Sequence, residues 1–126
     1  MTVRGVRGAT LVEEDLSDAI LAATRELLIA IQDANPTLRP ADLASALFSV
    51  TNDLCSTYPA LAARQLGWME VPLLCLREIP VPGGLPLCIR VLLHWNTNLP
   101  QSAIRHVYLG EAVRLRPDIA LSELQR

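Results

Sequence analysis

Hydrophobic positions recur along this chain with two periods, and the places where the period changes mark the elements. Val3 to Thr10 is a short apolar run containing Gly5 and Gly8, and it reads as a strand whose glycines let another backbone or a ligand come close. From Ile20 the positions Ala23, Leu27, Ile31 and Ala34 keep helical spacing, with Ser17 as a candidate cap and Asn35-Pro36 as the stop. Pro40 opens a short helical turn, and Ala44 to Thr51 reads as a buried strand. Pro59 starts a second helix that runs from Ala60 to about Leu66. Val71 to Glu78 and Leu87 to Trp95 are two further apolar runs, joined by a segment, Ile79 to Pro86, too rich in Pro and Gly for helix or strand. Beyond Pro100 the pattern gives a short helical turn, the segment His106 to Leu109 and a last stretch from Glu111 to Pro117. Four or five strands and two or three helices imply an α/β (α+β) fold in one domain, a mixed β-sheet with helices packed on one face.

Length and charge narrow the classes. At 126 residues and 13.8 kDa the chain is one domain, 1–126, without an internal repeat or linker. A hydrophobic share of 51% and a mean hydropathy of +0.30 are high for so short a chain, so some apolar surface is expected between subunits. The net charge is −2 and no basic run occurs, which leaves no footprint for nucleic acid or a membrane surface. All eleven positive side chains are Arg. Without Lys, a Schiff base, a pyridoxal phosphate enzyme and a phosphate-loop nucleotidase are excluded, whereas the planar Arg fork suits carboxylates. Cys55, Cys75 and Cys88 match no zinc or redox spacing and read as reduced thiols. The amino terminus lacks the apolar core of a signal peptide, and charges or prolines interrupt every apolar run short of the ~20 residues a membrane span needs. These features place the expected protein in the cytoplasm.

Few residues stand out as chemistry. Arg90 interrupts the otherwise apolar run Cys88 to Leu93, so either an anion meets its guanidinium or the strand is an edge whose Arg reaches water. Arg7 poses the same question in a shorter, glycine-rich strand. Glu78, next to Arg77, reads as a solvated strand end, Tyr108 as a core aromatic with a satisfied hydroxyl, and Cys75 as a small buried hydrophobe. Arg114 and Arg116 read as a solvated final turn. Gly-x-Ser-x-Gly, His-Glu-x-x-His, Cys-x-x-Cys and Gly-x-Gly-x-x-Gly do not occur, and His94 and His106 have no adjacent ligand set. Either the chain is no enzyme, or its reaction needs no nucleophile, metal or cofactor.

Four blocks carry a resemblance: Val3-Arg-Gly-Val-Arg-Gly-Ala-Thr10, Val71-Pro-Leu-Leu-Cys-Leu-Arg-Glu78, Cys88-Ile-Arg90, and Ile104-Arg-His-Val-Tyr-Leu109 with Leu115-Arg-Pro-Asp118. In order and spacing they resemble the monofunctional bacterial chorismate mutases of the trimeric α/β type. The resemblance implies a homotrimer closing into a pseudo-α/β barrel, with active sites between subunits, and the cofactor-free [3,3] rearrangement of the chorismate dianion to prephenate. It implies that Arg90 is the cation at the breaking ether bond and that Arg7 and Tyr108 grip the enolpyruvyl carboxylate. Glu78 would accept from the ring hydroxyl, with Cys75 beside it. Arg64, Leu115 and Arg116 would close over the ring side, the last two from a mobile tail starting at about 112. Tyr58 stands where relatives often carry Phe. Leu74 departs from a small polar residue expected there, and Arg64-Gln-Leu-Gly67 is one residue shorter than in some relatives. Two other functions fit the same residues: a binding protein for a carboxylate metabolite, and an imine or enamine deaminase of the related trimeric pseudo-barrel group.

Overall fold

Alternation along Cys88–Thr97 sets the architecture. Ile89, Val91, Leu93, Trp95 and Thr97 are buried, while Arg90, Leu92, His94 and Asn96 between them are half-exposed on the other face. A strand with one apolar and one mixed face must have a helical layer on the first. The computed structural model describes residues 1–118, and it supplies that layer. In chain order the elements are β1 (Thr2–Leu11), α1 (Ser17–Ala34), β2 (Leu43–Val50), α2 (Ala60–Gln65), β3 (Leu73–Arg77), β4 (Cys88–Thr97) and β5 (Val107–Tyr108). Short 3-10 turns occupy Pro40–Asp42, Gln101–Ala103 and Gly110–Leu115.

The sheet is mixed, with strand order β3-β2-β4-β1-β5. β4 pairs antiparallel with β1 and with β2, and the outer pairs β2/β3 and β1/β5 are parallel. β4 is therefore the middle strand, which overturns the alternative of an edge strand for Arg90. The reason is that both its backbone edges are paired, with Ala9 opposite Arg90 on one side and Ser49 on the other. Strand ends shift by one or two residues from the sequence reading. β2 stops at Val50 because the Thr51 backbone turns away to accept Arg77, and β4 runs on to Thr97, paired with Thr2.

Both helices lie on one face. From α1 the side chains Ile20, Leu27, Leu28 and Ile31 are wholly buried, and from α2 Ala60 and Ala63 join Phe48, Trp68, Val91, Leu93 and Trp95 in the larger core. Burial of each such Leu or Ile contributes about 1.5–3 kcal/mol, so this stripe rather than helix propensity holds α1 in place. Ser17 opens α1 but does not cap it: Leu16 takes the cap position, and the Ser17 hydroxyl donates instead to the Ser56 carbonyl at 3.0 Å. Among the described residues no helix is long and apolar enough to cross a membrane.

The outer edge of β1 is satisfied largely by side chains, because β5 covers only Gly8 and Ala9. Gln101 accepts from the Gly5 backbone N–H at 2.9 Å and donates to the Gly5 carbonyl at 2.7 Å, standing in for a neighbouring strand. The Arg7 N–H donates to His106 Nδ1 at 2.9 Å. Buried Asn35 ends α1 and ties it to the approach to β5, donating to the Arg105 carbonyl and accepting from its N–H. These contacts bring Tyr108 next to β1. The 3-10 turn that follows packs with Ala112 fully buried, and the part of the proposed mobile tail from 119 to 126 lies outside the described residues.

Gly8, expected to let another backbone or a ligand come close, makes room for a helix on the covered face of the sheet. A Cβ there would stand 2.7 Å from Ile31 Cδ1, 3.0 Å from Val91 Cγ1 and 3.2 Å from Leu27 Cδ1, so its missing side chain lets α1 sit down on β1. Gly8→Ala is expected to lower stability by about 1–3 kcal/mol through overpacking, read as an earlier midpoint in urea or heat. An unchanged midpoint would mean that α1 can rise off the sheet at no cost.

Candidate active site

Among the described residues no helix covers the second face of the sheet, and the charged residues collect on it. Antiparallel register puts Arg7 beside Leu92, Ala9 beside Arg90 and Ser49 beside Arg90, all with side chains on the face away from α1. Glu78 follows β3 directly, and its backbone N–H donates to the Val50 carbonyl at 2.9 Å, which extends the β2/β3 ladder by one residue. Its carboxylate then lies over β2 and β4. Oε1 meets Arg90 Nη1 at 3.3 Å, and Oε2 accepts the Ser49 hydroxyl. The Arg90 side chain keeps 40% and the Glu78 side chain 24% of their exposure, so the pair borders solvent but is not washed by it.

Around this pair is a cleft of about 710 Å³. Arg7, Glu78, Arg90, Tyr108 and Leu115 all line it, so five residues expected to act together are brought together. The Arg7 guanidinium has no hydrogen-bond or ion-pair partner among the described residues. Tyr108 reaches the cleft because β5 pairs it with Ala9, one register step from Arg90. Leu115 closes one end from the last 3-10 turn, and Leu76, Ile79, Val81 and Leu85 give an apolar wall. The charged residues of the lining are Arg7, Arg77 and Arg90 against Glu78 alone, a surplus of two positive charges. An anion with two carboxylates fits that balance, and low-dielectric walls strengthen the field it would meet.

The other expected residues lie elsewhere in the chain. Tyr58 and Cys75 line a second depression of about 410 Å³, where the Tyr58 ring is 74% exposed. Cys75 pairs with Phe48 across the β2/β3 ladder and so points to the helix-covered face, away from Glu78. Leu74 points to the other face and is 54% exposed; Arg64 is exposed on α2. Arg116 lines neither recess: it is held by Asp118 at 2.9 Å, a contact that raises its pKa further. Burial pushes the thiol of Cys88, which also lines the cleft, up to about 11. Among the described residues no three His, Cys, Asp or Glu side chains gather as metal ligands would.

Sequence reasoning passed over Ser49 and Arg77. In an alternating strand a serine reads as surface, and only the cross-strand register shows that Ser49 faces Arg90. Arg77 carried one signal, its place next to Glu78. Its Nη1 is fixed by the carbonyls of Thr51 and Leu54, both at 2.7 Å, which sets it between the two recesses.

Comparison with known proteins agrees with the geometry. The model of the family described as chorismate mutase type I matches residues 3–119. A Thermus thermophilus protein named chorismate mutase AroH is 59% identical over 117 residues, 93% of this chain and 96% of its own length. A Bacillus subtilis (strain 168) protein of the same name is 48% identical over 124 residues, 98% of this chain and 97% of its own. The solved chorismate mutase from Clostridium thermocellum superposes with a TM-score of 0.83 at 44% identity, covering 86% of this chain and 96% of that one.

A carboxylate outside the cleft shapes the second depression. Asp15 Oδ1 accepts from the backbone N–H groups of Cys55 and Ser56, both at 3.0 Å, and Oδ2 from the Cys55 thiol at 3.2 Å. These donors, the Cys55 N–H foremost, hold the Asp15 carboxyl at about 2 against an ordinary 3.8, and Asp15 in turn raises the Cys55 thiol. A depressed folded value means that the contribution is complete well above 3.8 and is lost as pH falls toward 2. Asp15→Asn should therefore lower the melting temperature near neutral pH. The gap from the unsubstituted protein should hold down to about pH 5 and narrow from there toward about pH 2. A gap independent of pH would show that the loop is held by shape and not by the carboxylate charge.

Proposed function

Because the chain belongs to the chorismate mutase type I family, and is therefore an isomerase acting on chorismate, we propose that it works by clamping the dianion in its compact form with arginines and stabilising the breaking ether bond with Arg90. The observation that carries this reading is the cleft itself, with Arg90 fixed on the middle strand and a surplus of positive charge. Family membership also selects turnover over a binding protein or a deaminase.

Chorismate contains every atom of prephenate, and in the [3,3] rearrangement a carbon–oxygen bond breaks as a carbon–carbon bond forms, with no proton moved. The barrier falls if the flexible substrate is held diaxial with the reacting carbons near attack distance. Arg7 and Tyr108 are the groups proposed to hold the enolpyruvyl carboxylate, Arg7 through its unpaired fork. Glu78 takes the ring hydroxyl. As the ether stretches, negative charge gathers on its oxygen, and a guanidinium already aimed there favours the transition state over the ground state. Once a neighbouring subunit covers the cleft, the apolar side chains Leu76, Val81, Leu85 and Leu115 would limit the water that shares that interaction.

The assembly we propose is a homotrimer with sites shared between subunits. Support comes from the uncovered sheet face, where Leu74 and Leu76 are 54% and 47% exposed, and from the separation of Tyr58, Arg64, Leu74 and Cys75 from the Arg90 cleft. A neighbour's β3, its α2 and the loop before α2 would supply those four residues to a cleft that this chain leaves open. Leu115 and Arg116 act as its closing end. Three free cysteines suit a cytoplasmic setting.

Two outcomes follow. Sedimentation equilibrium should return three times the 13.8 kDa chain mass, and a monomer fully active at nanomolar concentration would end the shared-site reading. Arg90→Ala should reduce kcat for prephenate formation by about 10²–10³ while leaving measurable prephenate affinity, and Arg90→Lys should restore only part, because a hydrated ammonium cannot span carboxylate and ether oxygen as the fork does. Near-normal turnover in Arg90→Ala would remove the electrostatic mechanism, and a loss confined to affinity would leave Arg90 as a clamp only.

A further inference from the structure

The geometry points to Ser49 as a positioning residue that keeps Glu78 off the full fork of Arg90 and so leaves Arg90 free for substrate. The inference rests on the proposed role of Glu78 as acceptor of the ring hydroxyl. Successive residues of β2 fix Glu78 twice: the Val50 carbonyl accepts its backbone N–H at 2.9 Å, and the Ser49 hydroxyl donates to Oε2. Ser49 can do this because alternation turns Phe48 and Val50 into the core and puts Ser49 on the face of Arg90, its register partner.

What the hydroxyl prevents follows from the chemistry of the pair. A guanidinium and a carboxylate with nothing else to satisfy them settle into two parallel hydrogen bonds. Here only one contact forms, Nη1 to Oε1 at 3.3 Å, because Oε2 is taken by Ser49. The remaining Arg90 donors have no partner among the described residues, which is the state in which an incoming carboxylate or ether oxygen can use them. Without the serine hydroxyl, Oε2 loses its donor and the nearest charged one is Arg90. Glu78 would then close onto the cation, and substrate would have to break that pair first.

The test is a double-substitution cycle on the full-length protein, reading kcat and KM for chorismate with thermal melts alongside. Ser49→Ala should lower kcat/KM by about 10- to 100-fold, with the melting temperature nearly unchanged. Ser49→Thr, which keeps the hydroxyl and suits a strand, should recover most of it. In a Glu78→Gln background the further change Ser49→Ala should have almost no effect, since the carboxylate it positions is gone. If Glu78→Gln is slow but Ser49→Ala equals the unsubstituted protein, or if the two losses simply add, the Ser49 inference falls and the reading of Glu78 stands. If Glu78→Gln itself turns over normally, both fall.

Discussion

A cation on the middle strand of the sheet is the constraint to which the rest of this molecule answers. An isolated guanidinium half out of water is costly unless something negative stands close, and here β3 ends so that Glu78 reaches across β2 to Arg90. Coulomb attraction alone would press the two together until the charge was used up. The backbone bond from Glu78 to Val50 and the Ser49 hydroxyl hold the carboxylate at the distance where it satisfies Arg90 only in part. Stability and readiness thus oppose each other at one contact, and the register of three strands sets the compromise.

The one-sided sheet follows from the same placement. Had helices covered both faces, Arg7, Arg90 and Glu78 would have been buried with no room for a dianion. Leaving one face bare exposes apolar side chains such as Leu74 and Leu76, and a small domain lowers that exposure by association. In the proposed trimer the covering layer is another copy of the chain, so the surface that most needs cover is also the one beside the cleft. The side chains that close the outer edge of β1, Gln101 and His106, belong to the same economy: among the described residues they end the sheet without a sixth strand and leave Tyr108 at the cleft.

The fold was largely legible because period-2 runs and one period-3.6 run carry it directly. Val71 to Glu78 and Leu87 to Trp95 were recognisable as strands from their side chains alone, and α1 from its stripe. Ser17 misled because a serine before an apolar run has the form of a cap, while its hydroxyl is drawn off by Ser56, a partner 39 residues away that no local pattern contains. Gly8 shows the same limit, since the α1 side chains that its missing Cβ admits lie far along the chain, and only the fold brings them and the cleft to it. Arg90 was visible as an anomaly, but whether its strand was edge or middle depends on pairing, which is non-local. Ser49 was invisible for that cause too. The resemblance to known enzymes supplied roles that spacing could not, and Leu74 remains a departure from that pattern, its side chain outward on the bare face.

The absence of Lys gains a physical meaning at this site. Every cationic side chain that lines the cleft is an Arg, a planar and permanently charged fork. Turnover that moves no proton needs no group poised to titrate. The weak point moves from chemistry to geometry. In the proposed mechanism a fixed cation accelerates the rearrangement only while it stays aimed at the ether oxygen and is not neutralised by its own neighbour. The parts of the sequence that matter most after Arg90 itself are then the ones that hold direction: the strand pairs on either side of it and the backbone anchor at Val50.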